Sequence, residues 1–160
     1  MANKFTWKIE GIQEFEEQIA KLAQMHKADA VIRATFAKAI RNALAPTAEM
    51  SKAAAPYDEL FNTSGIHLRD TIRVDGRIPS NKDQQSAFVH PNDIAIGIIS
   101  AKKSAVSLSH EFGNARTQAK FFLRNPFEQD RENITDRLKS ELAEIIPRYA
   151  KNLQKRKLIP

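Results

Sequence analysis

Histidine and carboxylate side chains are the residues of this chain that could bind a metal ion or transfer a proton. The four histidines are His26, His67, His90 and His110, and no two of them have the i, i+4 spacing that places two ligands on one helix face. The chain contains no cysteine, which excludes a disulfide, a thiol nucleophile and a cysteine-based zinc or iron-sulfur site. Gly-rich phosphate loops and the nucleophile elbow of hydrolases are also missing from the sequence. No metal or other cofactor is expected.

The adjacent residues His110 and Glu111 are the one acid-base pair that the sequence places side by side. A catalytic pair must lie within hydrogen-bond reach of a substrate proton, and nothing else in the sequence indicates such a site. We interpret the pair as structural and expect no enzymatic activity. Glu111 is predicted to bind a backbone donor or a basic group, in its own subunit or in a neighbouring one.

The residues after this pair predict a sharp turn and an exposed loop. Gly113 can adopt the positive φ that other residues avoid, so the backbone can turn there without steric cost. The segment from Asn114 to Lys120 is polar and is predicted to be a solvated, mobile loop. An apolar run, Phe121 to Leu123, then returns to the core. A loop held between two hydrophobic anchors is suited to contact another subunit.

A helix is predicted to start immediately after this apolar run. Asn125 is the expected N-cap, Pro126 suits the first helical position, and Glu128 lies three residues after the cap. Apolar residues at helical spacing continue to Tyr149, with Pro147 expected to break or kink the helix. The predicted tail, residues 147–160, is basic.

Two stretches of the chain resemble a known family. Glu111-Phe112-Gly113, then Phe122-Leu123-Arg124 and Pro126-Phe127-Glu128, are similar to a Glu-Phe-Gly-Thr … Pro-Phe-Leu-Arg-Pro-Ala signature. Ala55-Pro56, followed by Gly65 and by Leu68-Arg69-Asp70-Thr71-Ile72, resembles Ala-Pro … Thr-Gly-x-Leu-Arg-x-Ser-Ile. Both signatures are those of small minor virion proteins of long-tailed phages, described as tail-component, head-tail joining or type 1 neck proteins.

The match departs from the family pattern at four places. Asn114 replaces the usual Thr, Lys120-Phe121 stands where a Pro is expected, Asn125 is inserted before Pro126, and one extra residue separates Gly65 from Leu68. The motifs nevertheless occur in the same order and at similar positions as in the family, and together they span most of the chain.

The resemblance implies a structural virion protein of the phage neck or tail, with head-tail joining and tail completion as open alternatives. Such subunits form rings, here expected to be hexamers, that stack around the DNA path and contact neck, portal-side or tail-tube proteins. The location implied is the virion, and the host cytoplasm during assembly. A ring needs heterologous contacts. The candidate arms are Asp75 to Gln85, with Arg77 and Lys82, and Asn114 to Lys120, with Arg116 and Lys120.

Basic residues raise the possibility of a polyanionic partner. The formal net charge is +6, which bears on encounter and solubility rather than on fold. The tail carries five candidate contacts to DNA or to an acidic neighbouring ring: Arg148, Lys151, Lys155, Arg156 and Lys157. A solvated helix end remains the simpler interpretation of this tail. Arg69 and Arg124 either cover apolar atoms or pair with a carboxylate.

Composition and length indicate one globular domain spanning residues 1–160. The chain is 42% hydrophobic and 28% charged, which are ordinary globular values. No apolar run approaches the roughly 20 residues that span a bilayer, and the N-terminus has no signal-peptide pattern. We therefore expect neither a membrane segment nor a leader.

Apolar periodicity predicts the remaining elements. Phe5 to Ile9 alternate as in a strand, and Ile12 to His26 form an amphipathic helix. A second long helix follows from Ala28, with Pro46 kinking it or starting a fresh helix through Ala54, and its many alanines fit either internal packing or an inter-subunit seam.

Further strands are predicted downstream. Ile72 and Val74 mark one strand, and Ala87 to Val89 and Ile94 to Ile99 are predicted to pair as a hairpin. Residues 104–112 fit a helix or a strand, and a short helix capped by Ser104 and stopped by Gly113 is favoured.

These elements predict an α+β fold: an antiparallel sheet of about four strands, packed against long N-terminal helices and a long C-terminal helix. The rival function is a basic nucleic-acid-binding module, which lacks a recognisable motif. An enzyme built around His110 and Glu111 is the weakest hypothesis.

Overall fold

The computed structural model describes residues 30–57, 65–90 and 93–155. These residues form three α-helices, two strands and two short 3-10 helices. In chain order they are α1 (Ala30–Ala54), a 3-10 helix (Leu68–Thr71), β1 (Arg73–Arg77), a second 3-10 helix (Asp83–Gln85), β2 (Ile96–Ser100), α2 (Ala105–Phe112) and α3 (Arg124–Lys155).

The predicted sheet of about four strands is wrong for this part of the chain, which contains a two-stranded antiparallel sheet. β1 pairs with β2, so the strand predicted from Ile94 to Ile99 does not pair with Ala87 to Val89. The latter residues lie in turns, where Val89 N–H binds the Ser86 carbonyl at 3.2 Å. Such local bonds satisfy the backbone without a strand partner.

Two elements that the sequence predicts, the strand from Phe5 to Ile9 and the helix from Ile12 to His26, lie outside the described residues. The expected set of several long N-terminal helices is therefore corrected to one described helix, α1. α1 continues through Pro46, and no fresh helix starts there. Proline removes the hydrogen bond to the carbonyl four residues earlier, and this carbonyl belongs to Asn42, which is exposed to solvent. α3 likewise continues through Pro147.

A pair of glycines allows α1 to lie directly on the sheet. Gly76 and Gly97 are opposite each other in the β1–β2 ladder. A Cβ on Gly76 would collide with the backbone carbonyl of Ala37, and one on Gly97 would collide with Ile40 and Leu44. Because opposite residues share one face of a sheet, this face can approach the helix backbone at Gly76 and the side chains of Ile40 and Leu44 at Gly97.

A buried polar network joins α1 to α3. The carboxylate of Asp130 accepts hydrogen bonds from the Thr47 hydroxyl at 2.5 Å and from the Arg137 guanidinium. Arg137 also donates to the Ala43 carbonyl at 2.9 Å. Asp130 is 4% exposed, and Thr47 is fully buried. Arg137 and the other donors stabilise the charged carboxylate and lower the pKa of Asp130 to about 2.

The buried apolar residues form two clusters. One lies between α1 and α3 and contains Phe36, Ala39 and Leu142. The other contains Ala55, Ile72 and Phe122, with Leu68 and Leu123 packed against it. Ala43, Ala48 and Ala55 of the alanine-rich stretch are buried, which supports internal packing at these positions, whereas Ala45, Ala53 and Ala54 are exposed. Among the described helices, none is long and apolar enough to cross a membrane.

Candidate functional site

The candidate site is the segment in which α2 turns into α3, residues 104–128. α2 forms as the favoured interpretation predicts. Ser104 is its N-cap, and the Ser104 hydroxyl accepts a hydrogen bond from the Ser107 N–H at 3.0 Å. Gly113 ends the helix with φ 77°, in the left-handed region that suits glycine.

Glu111 caps the N-terminus of α3. Its carboxylate accepts hydrogen bonds from the backbone N–H groups of Leu123, at 2.9 Å, and Arg124, at 3.1 Å. These donors have no partner inside the helix, and a carboxylate also complements the positive end of the helix dipole. Glu111 is 7% exposed. The prediction that Glu111 binds a backbone donor is confirmed, and the donors belong to its own chain.

This geometry corrects the expected helix start. α3 begins at Arg124, so Asn125 and Pro126 are already inside its first turn. Asn125 N–H instead donates to the Phe121 carbonyl at 2.9 Å. Neighbouring residues alone predict Asn125 as the N-cap, whereas the acceptor comes from Glu111 in the preceding helix. Pro126 is buried, and Phe127 is 40% exposed.

The loop from Gly113 to Phe121 is closed by its own hydrogen bonds. The Asn114 side-chain oxygen accepts from the N–H groups of Arg116 and Thr117, both at 2.8 Å. Asn114 N–H donates to the Thr117 carbonyl at 2.9 Å, and Lys120 N–H donates to the His110 carbonyl at 2.7 Å. The loop is exposed to solvent as predicted, but these hydrogen bonds give it the form of a defined turn.

Close packing and one unusual backbone angle complete the loop. A Cβ on Gly113 would lie 3.0 Å from the Ala119 nitrogen, so the turn leaves little room for a side chain. Phe121 has φ 50°, which is uncommon for a residue other than glycine. Phe122 follows and is fully buried. The chain therefore returns to the core through a constrained residue.

The two stretches that carry the family resemblance meet at one core cluster. Leu68 of the first stretch and Phe122 and Leu123 of the second pack together around Ile72. Gly65 has φ 68°, which glycine accommodates readily. Pro56 is partly buried. The sequence motifs are thus neighbours in space.

The two motif arginines lie at the surface. The Arg69 guanidinium stacks on the Tyr57 ring, 3.8 Å from its centroid, and lies 3.8 Å from the Asp70 carboxylate. The Arg124 side chain forms an ion pair with Glu128 at 2.9 Å. The Arg124 guanidinium also lies 6.0 Å from the centroid of the Phe121 ring. Each arginine therefore combines the two roles left open by the sequence, because each lies over an aromatic ring and is close to a carboxylate.

The other predicted arm carries an internal ion-pair network. Arg77 donates to Asp75 at 2.8 Å and to Asp83 at 2.7 Å. Hydrogen bonds from Arg77 and Ser80 lower the pKa of Asp83, and the two carboxylates raise the pKa of Arg77. Arg77 is therefore engaged within its own subunit. Lys82 lies at the rim of a groove of about 540 Å³ that is also lined by Phe88, Ile96 and Ile98.

Several large apolar side chains around these arms are exposed. In α2, Phe112 is 69% exposed and Leu108 is 43% exposed. They are four residues apart and so lie on one face of the helix. Phe88, beside the groove, is 72% exposed. Exposed aromatic residues of this size are typical of contact surfaces.

The basic tail is described in part. Arg148, Lys151 and Lys155 belong to α3. Arg156 and Lys157 lie outside the described residues. Arg116 and Lys120, in the structured loop, are both exposed.

Where the structure describes the chain, it brings together no group of three or more His, Asp or Glu side chains that could hold a metal ion. The Glu111 carboxylate is occupied by two backbone donors. The adjacent His110 has a buried Nδ1 without a hydrogen-bond partner among the described residues.

Sequence reasoning missed the network of Thr47, Asp130 and Arg137. The i, i+7 spacing of Asp130 and Arg137 places both on one face of α3, two turns apart. Their helical partner Thr47 is 83 residues from Asp130 in the sequence, and no local pattern connects them. The chain matches no protein-family model, no curated protein and no solved structure.

Proposed function

We propose that this chain is a structural subunit of a ring in the neck or tail of a long-tailed phage, acting in head-tail joining or tail completion. The proposal rests first on the two motif stretches. The observation that supports it most is that these stretches share one core cluster, around Ile72 and Phe122. Residues that resemble a family signature thus serve to shape and hold a single surface segment.

The shaped segment has the properties of an assembly arm. Glu111 fixes the start of α3, and the loop that it anchors is closed by Asn114. The arm therefore keeps its shape in an isolated subunit, which lowers the entropic cost of binding. Phe112 offers apolar area next to it, and Arg116 and Lys120 offer charge.

A second surface on the same chain would receive a contact. The groove lined by Phe88, Ile96 and Ile98 lies between the sheet and the segment from Lys82 to Val89, on elements different from the α2–α3 loop. A ring requires one patch to meet a different patch on the next copy. Homo-oligomerisation into a hexamer, stacking on neck, portal-side or tail-tube proteins, and non-specific contact with channel DNA are parts of this proposal.

In this proposal the role is architectural rather than catalytic. The polar residues of the motif are used for structure, because Glu111 caps a helix and Arg124 pairs with Glu128. The protein would act in the virion and would assemble in the host cytoplasm.

The test is the molar mass of the purified protein by light scattering, alone and with separately purified neck and tail-tube rings, at low and moderate salt. We expect a closed ring, or a monomer that forms one on a partner ring. Phe112→Ser should reduce assembly, and Ser140→Ala, at an exposed position of α3, is the matched control. A strict monomer that ignores the partner rings and binds duplex DNA with steep salt dependence would overturn the proposal in favour of a nucleic-acid-binding module.

A further inference from the structure

The ring of His110 lies at the junction of α2 and the closed loop. Its Nδ1 is buried and has no hydrogen-bond partner among the described residues. The backbone carbonyl of the same residue accepts the Lys120 N–H at 2.7 Å, the bond that brings the two ends of the loop together. His110 therefore joins a titratable side chain to the closure of the loop.

We propose that His110 is a pH-sensitive latch for the loop from Gly113 to Phe121: the loop is closed while the imidazole is neutral and opens when the imidazole is protonated. This property goes beyond the role in a ring and does not depend on it.

The physical reason is the cost of a second ring proton. A neutral imidazole can leave Nδ1 as a bare acceptor, whereas an imidazolium carries N–H groups on both nitrogens. The Nδ1–H of the imidazolium would be buried without an acceptor, and burial disfavours the charge itself. In the proposed latch, opening the loop gives the ring access to water and removes both costs.

The charges around the ring favour the same direction. Lys120 is the cation that acts on it, and burial together with Lys120 lowers the pKa of His110. In α2, Glu111 is the neighbouring carboxylate, but both of its oxygens bind backbone N–H groups of α3. In the first turn of α3, Arg124 and Glu128 form an ion pair with each other. Among the described residues, burial and Lys120 are the influences on the pKa of His110, and no carboxylate acts to raise it.

The coupling between proton binding and loop opening sets the direction and the size of the pH dependence of loop closure. The folded-state pKa is below the ordinary value of 6.5, so the open loop binds the proton more tightly than the closed loop. Closure is complete above pH 6.5 and weakens as the pH falls through the folded-state value. The opening equilibrium should rise by a factor of about ten for each unit by which the pKa is lowered.

Amide hydrogen exchange of the full chain between pH 7.5 and pH 5.0, corrected for intrinsic rates, tests this latch. Exchange of residues 113–121 should accelerate as the pH falls, while residues 130–142 of α3 should not change. His110→Gln, which cannot titrate in this range, should abolish the pH dependence of the loop. Lys120→Gln should keep it and move its midpoint to higher pH, because the opposing cation is gone.

Loop protection that is constant with pH in the unmodified protein would overturn the proposal, as would an equal pH dependence in His110→Gln. If His110→Gln opened the loop at every pH, Lys120→Gln would decide, since an unchanged midpoint in that variant would exclude the latch.

Discussion

The carboxylate of Glu111 accepts a hydrogen bond from the backbone N–H of Leu123, 12 residues further along the chain, and so joins the end of α2 to the start of α3. The second carboxylate oxygen binds the Arg124 N–H. The long helix is therefore capped by a residue that lies outside it. A motif residue that could be mistaken for a catalytic acid has a defined structural function.

Loss of this cap should destabilise the protein. Glu111→Ala leaves two N–H groups without their acceptor, and we expect the free energy of unfolding to fall by about 1–3 kcal/mol. Glu111→Gln, which keeps one oxygen, should cost less. Urea denaturation measures both. The control is Glu128→Ala, which removes an exposed ion pair and should cost less than about 1 kcal/mol. Equal losses for Glu111→Ala and Glu128→Ala would contradict the capping role.

The two sheet glycines should differ in their tolerance of a methyl group. In Gly76→Ala the new Cβ meets the Ala37 backbone carbonyl, whereas in Gly97→Ala it meets the side chains of Ile40 and Leu44. Side chains can shift more easily than backbone, so we expect losses of about 3 kcal/mol or more for Gly76→Ala and about 1–3 kcal/mol for Gly97→Ala.

Thermal or urea denaturation measures these losses. Gly65→Ala is the control, because it introduces backbone strain without a steric collision. Gly65 has a positive φ but no atom within 4 Å of the added Cβ. Its expected loss is about 1–2 kcal/mol. If Gly76→Ala proved as mild as Gly65→Ala, the close approach of α1 to β1 would be incorrect.

The free energy of unfolding should decrease at low pH because Asp130 becomes protonated. Its pKa is lowered to about 2 in the folded protein, so the folded state holds the proton less tightly than the unfolded state. The stabilisation is fully present above about pH 4 and is lost as the pH falls toward 2. Asp130→Asn should remove this dependence.

The measurement is the difference in unfolding free energy between the unmodified protein and Asp130→Asn, taken from pH 5 to pH 2. This difference should become smaller as the pH falls from 5 to 2. Asp83, whose pKa Arg77 also lowers, titrates in both proteins and cancels. A difference that stayed constant over the range would show that the charge of Asp130 does not stabilise the network.

A side chain at Gly113 should open the loop and impair the proposed ring assembly. Gly113→Val places a branched residue at φ 77° with its Cβ 3.0 Å from the Ala119 nitrogen, and we expect a loss of about 2 kcal/mol or more. Circular dichroism should show that the helices persist, and light scattering should show fewer rings. Gly65→Val is the matched control, since Gly65 has a similar φ and open space around it. If Gly113→Val formed rings like those of the unmodified protein, the turn at Gly113 would have no role in assembly.

Local patterns in the sequence predict several elements of the fold correctly. Ser104 and Gly113 bound α2 as expected, because capping and a positive φ depend on residues close in sequence. The strand near Val74, the strand near Ile98 and the long C-terminal helix are also found. Each of these elements has apolar residues at the spacing that is typical of its own type of secondary structure.

The remaining features depend on contacts between distant residues. Asn125 looks like the N-cap of α3, but Glu111 supplies the acceptor from another helix. Local sequence patterns predict that Ala87 to Val89 pair with the strand near Ile98, whereas in the structure Val74 pairs with Ile99. Glycine is required at positions 76 and 97 because α1 lies across the sheet there, which the local sequence does not show. These relations are tertiary, and single-sequence periodicity does not contain them.

The Asp130 network also determines how α1 and α3 are aligned along their length. The small alanine side chains of α1 fix this alignment only weakly against a slip of one helix past the other by a full turn, about 5.4 Å. After such a slip the Asp130 carboxylate would be buried away from Thr47, and Arg137 would lose the Ala43 carbonyl. A buried charge without partners is costly. The network thus excludes shifted alignments that the alanines alone would tolerate.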